Sequence, residues 1–436
     1  MSKYININSD IPIDIILEYL INGNVFLTGS PGSGKTWITR KYIDYCTKYY
    51  NINSIGITAS TGIAAKLLDV NGNCMTIHSW SGIDIVDTND NYEKILKRVL
   101  DKPSHVKRWK NTQVLIIDEI SLLDSKIFIF LDMIGKHIRN NKKPFGGIRL
   151  LVVGDFYQLP PVNGKFCFND DGSVWEDCFN HMINLTTSYR SNDNNLNKIL
   201  KRIRQGKDLK PNMIKALEKR NSKKILKDVK YPILVPLRDM ARSINNKKLL
   251  ENDTKEYKFT ALYNKPELKN LIQKYSPLED ELVLKVGCPV IYLINDHSRG
   301  LVNGMVGTII DFINNKPIVK FDEKEYIIDK HVWDKKDNNS LLSMEQFPLL
   351  LGYAITIHRS QGQTLSQASI VLDSRVWEKS QCYVALSRLQ SLNGLNLLEF
   401  DKKVFNINRE NDKMVKKYYE KWKMNEQIYF HRTDNI

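Results

Sequence analysis

The sequence has no CxxC pair, and its six cysteines (Cys46, Cys74, Cys167, Cys178, Cys288 and Cys382) are scattered along 436 residues. That spacing offers no zinc or iron–sulfur ligand set and reads as buried, reduced thiols. No apolar run approaches the ~20 residues a bilayer-spanning helix needs, so no membrane association is expected. The opening "MSKYININSD" lacks both the apolar core of a secretory signal and the Arg-rich amphipathic texture of a transit peptide. Internal repeats and low-complexity linkers are also missing. Acidic residues are in deficit: 49 Asp and Glu face 64 Lys and Arg, a net charge of +15. That excess suits a polyanionic partner. The abundance of Asn, Ile and Lys also fits an AT-rich genome, so charge alone does not establish nucleic-acid binding.

What is present is enough to fold. Hydrophobic residues make up 42% of the chain, and its length implies about two to four globular units. Residues 10–22 read as a short amphipathic helix. "NVFLTG" then reads as a buried strand, and "KTWITRKYIDYCTKYY" as a helix with apolar spacing near 3.6. "SIGITAS", "TQVLIIDEIS" and "IRLLVVGD" are further apolar runs between helical segments. Buried strands alternating with helices imply a parallel sheet covered on both faces, hence the α/β class. Residues 192–230 are polar, helical and Lys-rich, and "YPILVPL" reads as a strand of a second sheet. From about 284 to 340 short β runs separated by turns suggest a small inserted barrel. The α/β texture returns from 346. The last 35 residues are basic and read as helical.

Gly29-Ser30-Pro31-Gly32-Ser33-Gly34-Lys35-Thr36 satisfies GxxxxGK[ST] between a predicted strand and helix. Glycines let backbone N–H groups close around phosphate oxygens, and the helix N-terminus adds positive potential. Lys35 is expected to reach the β- and γ-phosphates and Thr36 to ligate Mg²⁺. Asp118 ends a later apolar strand and suits the same metal's shell. Glu119 beside it is placed to orient or deprotonate an attacking water, which favours hydrolysis over phosphoryl transfer to a metabolite. Gln158, in "VVGDFYQLPPV", stands where a γ-phosphate sensor could sit. ATP and Mg²⁺ are the expected ligands.

These stretches recur in a fixed order with "GITASTGIAAKLL", "TIHSWSGI", "LTTSYRS", "ITIHRSQGQTL" and "YVALSR". Together they resemble a superfamily 1 helicase. "KPFGGIRLLVVGDFYQLPPV", "LVNGMVGTI" and "QCYVALSRLQSLNGL" narrow the resemblance to the PIF (petite integration frequency) DNA helicases, over roughly residues 20–400. The resemblance implies two RecA-like domains with ATP between them and single-stranded DNA across the top, translocating 5′-to-3′. It implies domain 1A over 1–190, with a wedge insertion 1B at 79–108. Domain 2A would comprise 191–285 and 344–436, with an SH3-like insertion 2B at 286–343. Arg190 and Arg388 match the two arginines that reach the γ-phosphate, the second from the second domain. Gln361 and Gly362 match the block coupling nucleotide to DNA. Thr58, Ser60, Thr61, Thr76, His78, Thr356, His358 and Arg359 match positions lining the strand channel. Trp80 is either a base-stacking platform or a core residue. The family places a Gln before the phosphate loop to read adenine. None stands here, which leaves Asn8, another residue or the backbone for that task.

The resemblance implies single-stranded and forked or tailed duplex DNA as partners. A monomer recruited by replication proteins is expected. A soluble intracellular setting is expected too: a nucleus, an organelle or a viral replication site. The alternative readings are a DNA-stimulated translocase that never unwinds duplex, a non-motor nucleotide-dependent binding module, and a motor on RNA.

Overall fold

The structure, a computed structural model, describes residues 3–7, 13–69, 73–83, 86, 91–162, 164–169, 174–222, 232–269, 278–296, 298–337, 340–406, 410–423 and 427–430. Asn8 and the segment 87–90 within the expected wedge lie outside the described residues.

Eight parallel strands form the first sheet. In spatial order they are Gln427–Phe430, Lys3–Ile7, His181–Leu185, Val25–Gly29, Arg149–Gly154, Val114–Asp118, Ile55–Ala59 and Cys74–Thr76. The central strands are buried along their whole length, as their near-continuous apolar sequences require. Alternate side chains go to opposite faces. Val25, Leu27, Val114 and Ile116 pack under the helices Ile13–Asn22, Lys35–Tyr49 and Gly62–Leu68. Phe26, Leu115, Ile117 and Val152 face the other side, against helices Tyr92–Leu100, Pro103–Asn111 and Ser125–Arg139.

Four parallel strands form the second sheet, in the order Ala354–Thr356, Ile233–Val235, Ala368–Leu372 and Leu395–Phe400. Helices Asn194–Arg204 and Lys379–Ser387 pack on it around Leu196, Ile199, Ile370, Tyr383 and Leu386. The α/β class is as expected.

Two boundaries differ from expectation. Antiparallel strands run from residue 256 to 351, wider than 286–343. Glu256–Thr260 pairs with Glu281–Lys285, and Leu349–Leu351 pairs with Pro289–Tyr292 in a five-stranded sheet. The last helix, Glu410–Lys423, joins the first sheet's core rather than the second unit. Its Val415, Tyr418, Tyr419 and Trp422, at i, i+3, i+4 and i+7, are buried among Phe26, Phe156 and Trp175. Trp175 Nε1 donates to the Tyr418 hydroxyl at 2.8 Å.

The expected wedge region is helical in its described parts. Ile95, Val99 and Trp109 bury its two helices against the first core. Trp80 belongs there too. It is 3% exposed and meets Trp109 edge to face at 4.7 Å, so it is a core residue and no platform for a base.

Candidate nucleotide site

Val25–Gly29, Arg149–Gly154 and Val114–Asp118 are adjacent strands, so their carboxyl ends lie side by side. The phosphate loop, Asp155 with Gln158, and Asp118 with Glu119 therefore meet at one edge. This is where open parallel sheets place their ligands.

The loop is built by backbone that only glycine adopts comfortably. Gly32 and Gly34 have φ of 78° and 89°. A Cβ on Gly32 would stand 2.2 Å from the Arg190 Cβ. The Arg190 segment packs directly on the loop, and Tyr189 N donates to Gly32 O at 2.7 Å. Lys35, the first residue of helix Lys35–Tyr49, donates Nζ to Gly29 O at 2.8 Å and Ser30 O at 3.1 Å. Among the described residues, the buried Ser33 Oγ has no hydrogen-bond partner. An orphaned hydroxyl inside a ring of glycines suits a ligand oxygen.

Asp118 is buried, and its Oδ1 accepts from Glu119 N at 2.8 Å. Burial and the neighbouring Glu119 carboxylate push its carboxyl up to about 7. A cation beside it would reverse that penalty. Glu119 adopts left-handed backbone, φ 54° and ψ 45°, which turns it out of the strand. Its Oε2 accepts from Gln361 Nε2 at 3.2 Å, and Ser121 Oγ accepts from the same nitrogen at 3.3 Å. Gln361 Oε1 is buried and has no hydrogen-bond partner among the described residues.

The second unit completes the site. Arg388, 1% exposed, donates Nη2 to Gln158 Oε1 at 3.4 Å and to Ser387 Oγ at 2.9 Å. Its Nε donates to Val384 O at 3.0 Å and its Nη1 to Gln363 O at 3.2 Å. Arg190 Nη1 donates to Ser387 O at 2.9 Å. Burial and then Arg190 hold Arg388 below the ordinary guanidinium range. Burial also lowers Arg190 and Lys35. Delocalisation keeps a guanidinium charged even so. Among the described residues, Lys35, Arg190 and Arg388 make no ion pair within 4.0 Å. Glu119 is the one carboxylate whose field raises all three. Asp155 and Asp118 also raise Lys35. The two arginines have only Glu119 among carboxylates, so the cluster suits a multiply charged anion.

The remaining expected residues divide into three groups. Thr76 and Thr356 end strands of the two sheets and share one geometry, φ −67° and ψ 150° against φ −69° and ψ 149°. Each caps the short helix that follows, and each is followed by Ile-His. Thr61 caps helix Gly62–Leu68 through Ala64 N. His78 lies on the helix after Thr76. His358 stacks on Trp377 at 5.7 Å, and burial with Arg238 lowers it to about 4. Arg359 is lowered by the same two causes. Ser60 Oγ is buried and has no hydrogen-bond partner among the described residues. Gly362, at φ 86°, sits opposite Ile63. Thr58 departs from expectation. It is 0% exposed and donates to Ile116 O at 2.6 Å, because it lies inside a strand and turns to its neighbour. The sequence reading missed Asp155, Arg204, Tyr383 and Tyr419. Asp155, like Asp118, is an acid ending an apolar strand, and that was the available signal.

Comparison with known proteins gives the chain's family. The family model PIF1-like helicase matches residues 13–214, and the model of the DNA helicase Pif1 2B domain matches 267–312. The ATP-dependent DNA helicase Pif1 of Bdellovibrio bacteriovorus is 35% identical, over 88% of this chain and 86% of its own length. The chain belongs to the PIF1-like helicase family. The ATP-dependent DNA helicase PIF1 of Xenopus laevis is 34% identical over 94% of this chain, which spans 64% of that relative's length. Among solved structures, Pif1 helicase from Bacteroides in complex with ADP-AlF3 and single-stranded DNA superposes with a TM-score of 0.75. That match has 26% identity and covers 94% of this chain and 98% of that one. The 2B match falls within the antiparallel strands of this helicase, and the first match contains the phosphate loop, Asp118, Glu119, Gln158 and Arg190.

Proposed function

We propose that this PIF1-like helicase couples ATP hydrolysis to 5′-to-3′ stepping on single-stranded DNA and thereby separates duplex. The observation that carries the reading is the cluster of Lys35, Arg190 and Arg388 around a glycine loop, with no ion pair among the described residues. A triphosphate matches that charge and shape.

Each residue then has a physical task. The backbone of 29–34 and Lys35 hold the β- and γ-phosphates. Glu119, held by Gln361 from the second unit, orients the attacking water. Gln158 and Arg388 meet at the γ-phosphate, and Arg190 joins them from the loop between the units. Thr36 and Asp118 would hold Mg²⁺, which neutralises phosphate charge when bound. Because Arg388 and Gln361 are supplied by the second unit, phosphate loss changes what holds the units together, and closure follows the state of the nucleotide. Thr76 and Thr356, with Thr61, Ser60, His78, His358 and Arg359, line the proposed strand path. The two matching caps offer one phosphate-sized site per unit, which is the arrangement that alternate gripping needs. This reading follows relatives whose printed names are ATP-dependent DNA helicases and a neighbour bound to single-stranded DNA.

The test is unwinding of duplexes tailed at either end, with ATP, by the full chain and by Lys35→Ala. Opening is expected only from a 5′ tail and only with Lys35. Opening from a 3′ tail alone would overturn the polarity, and undiminished activity of Lys35→Ala would overturn the site.

A further inference from the structure

A polar node around buried Asp155 lies beside the arginine contact and within the field of the nucleotide site: Asp155 raises Lys35, and Tyr383 raises Arg190 and Arg388. Asp155 is 0% exposed and follows the strand Arg149–Gly154. Arg204, at the end of helix Asn194–Arg204, donates Nε to its Oδ2 at 3.1 Å and Nη2 to its Oδ1 at 3.0 Å. Tyr383, on helix Lys379–Ser387, hydrogen-bonds the Asp155 Oδ2 at 3.2 Å through its hydroxyl. Asp155 belongs to the first unit, where its Oδ1 also accepts from Tyr157 N at 3.3 Å, while Arg204 and Tyr383 come from the second. A fully buried carboxylate, paired with a partly exposed guanidinium, thus ties the units together.

The node is one step from the catalytic contact on each side. Tyr383 lies one helical turn before Ser387, whose carbonyl accepts from Arg190 and whose hydroxyl accepts from Arg388. Asp155 lies three residues before Gln158, and Gln158 N donates to Asp155 O at 2.9 Å. Two cross-unit contacts therefore run in parallel, Tyr383 to Asp155 and Arg388 to Gln158. The last helix backs the node from the far side. The Tyr419 ring stacks on Tyr157 at 5.0 Å and 7°, with the Arg204 guanidinium 4.9 Å from the Tyr157 centroid and 5.8 Å from that of Tyr419. The Tyr419 hydroxyl shares a 2.8 Å hydrogen bond with Thr28 Oγ1, one residue before the phosphate loop begins.

We propose that Tyr383, held by the Asp155–Arg204 pair and backed by Tyr419, is a positioning residue that sets Arg388 against Gln158 for ATP hydrolysis, making the last helix part of the motor's working parts. This rests on the nucleotide-hydrolysing reading above.

The test uses the full chain and DNA-stimulated ATP hydrolysis. Tyr383→Phe keeps the ring and removes only the hydroxyl. If Arg388 acts in the transition state, kcat falls by about tenfold while KM for ATP stays within about twofold. The thermal midpoint is expected to stay within about 4 °C of the parent. Combined with Arg388→Ala, Tyr383→Phe is expected to cause no further loss, because its effect passes through that arginine. Tyr419→Phe is the second probe and is expected to lower kcat by a smaller factor at unchanged KM. Unchanged kcat in Tyr383→Phe, or a loss that multiplies in the Arg388→Ala background, would overturn the proposal. If the parent chain hydrolyses no ATP on single-stranded DNA, the motor reading itself falls and takes this inference with it. A working parent with an equally active Tyr383→Phe sinks the node alone.

Discussion

Arg388 shows how burial and charge together prepare a group for the proposed chemistry. Its guanidinium is held by three carbonyl or hydroxyl oxygens and the Gln158 amide, all neutral acceptors. No carboxylate pairs with it among the described residues, and the fields of Glu119 and Tyr383 offset its charge only in part. Arg388→Ala is expected to lower kcat by about 10³-fold or more while nucleotide affinity changes little. Arg388→Lys is not expected to restore it, because a point charge cannot span the same set of acceptors. Steady-state hydrolysis beside ADP binding separates the two effects. His358 makes a different prediction. Its folded value of about 4 lies below the ordinary 6.5, so at pH 7 it is neutral in both folded and unfolded chains. As pH falls from 6.5 to 4, the unfolded chain takes up a proton that the folded one refuses. Stability then declines by up to about 3 kcal/mol across that window and levels off below it. Thermal melts of His358→Gln should flatten that slope, and an unchanged slope would refute the assignment. The sequence made Lys35, Glu119 and the two arginines legible, since each sits in a motif with a chemical reason. It misplaced Thr58 and left Trp80 undecided, because inward and outward positions of a fully buried strand or a short capped helix share one composition.

Among the elements, the helix Glu410–Lys423 departs furthest from its expected place. The last 35 residues read as basic and helical, which holds over Glu410–Lys423, whereas Gln427–Phe430 is a strand at the edge of the first sheet. A helical texture does not say what buries the helix, and the family resemblance assigned 344–436 to the second unit. The aromatic cluster Phe156, Phe168, Trp175 and Tyr418 decides the matter. Tyr418 stacks on Phe168 at 4.2 Å and meets Phe156 edge to face at 5.6 Å. Tyr418→Ala removes a ring that fills this core and leaves the Trp175 indole N–H without its acceptor. A loss of about 3–5 kcal/mol is expected from the cavity and the orphaned donor together. Tyr418→Phe is expected to cost about 1–3 kcal/mol, since only the donor's partner goes. Denaturant unfolding monitored at the first unit checks both. Equal, small effects would mean that the helix merely lies against the sheet. The antiparallel strands followed the same logic. Turn-rich, alternating runs marked them as β, but the outer pairs Glu256–Thr260 with Glu281–Lys285 close across a long stretch of chain that local pattern cannot bridge.

At the scale of the whole molecule, the net charge of +15 and the two matched threonine caps are expected to make separable contributions to the proposed DNA binding. A long-range field concentrates a polyanion near the protein and is screened by salt. A hydroxyl or backbone N–H at a helix start instead fixes where a phosphate rests and releases no counterion. The two can be told apart by titrating single-stranded DNA at several salt concentrations. For single strands the logarithm of affinity falls with the logarithm of salt by about 0.7 per phosphate neutralised. Arg359 is a cation on the proposed path, so Arg359→Ala is expected to weaken binding and reduce that slope by about 0.7. Thr76→Ala and Thr356→Ala are expected to weaken binding at every salt concentration and leave the slope as it was. Because the caps occupy equivalent ends of the two sheets, either change should also cut the number of base pairs opened per ATP more than it cuts hydrolysis. A motor that loses one of its two grips still turns over nucleotide but slips. If both threonine variants retain tight binding and full coupling, the strand does not run across these caps, and its path must be sought elsewhere on the basic surface.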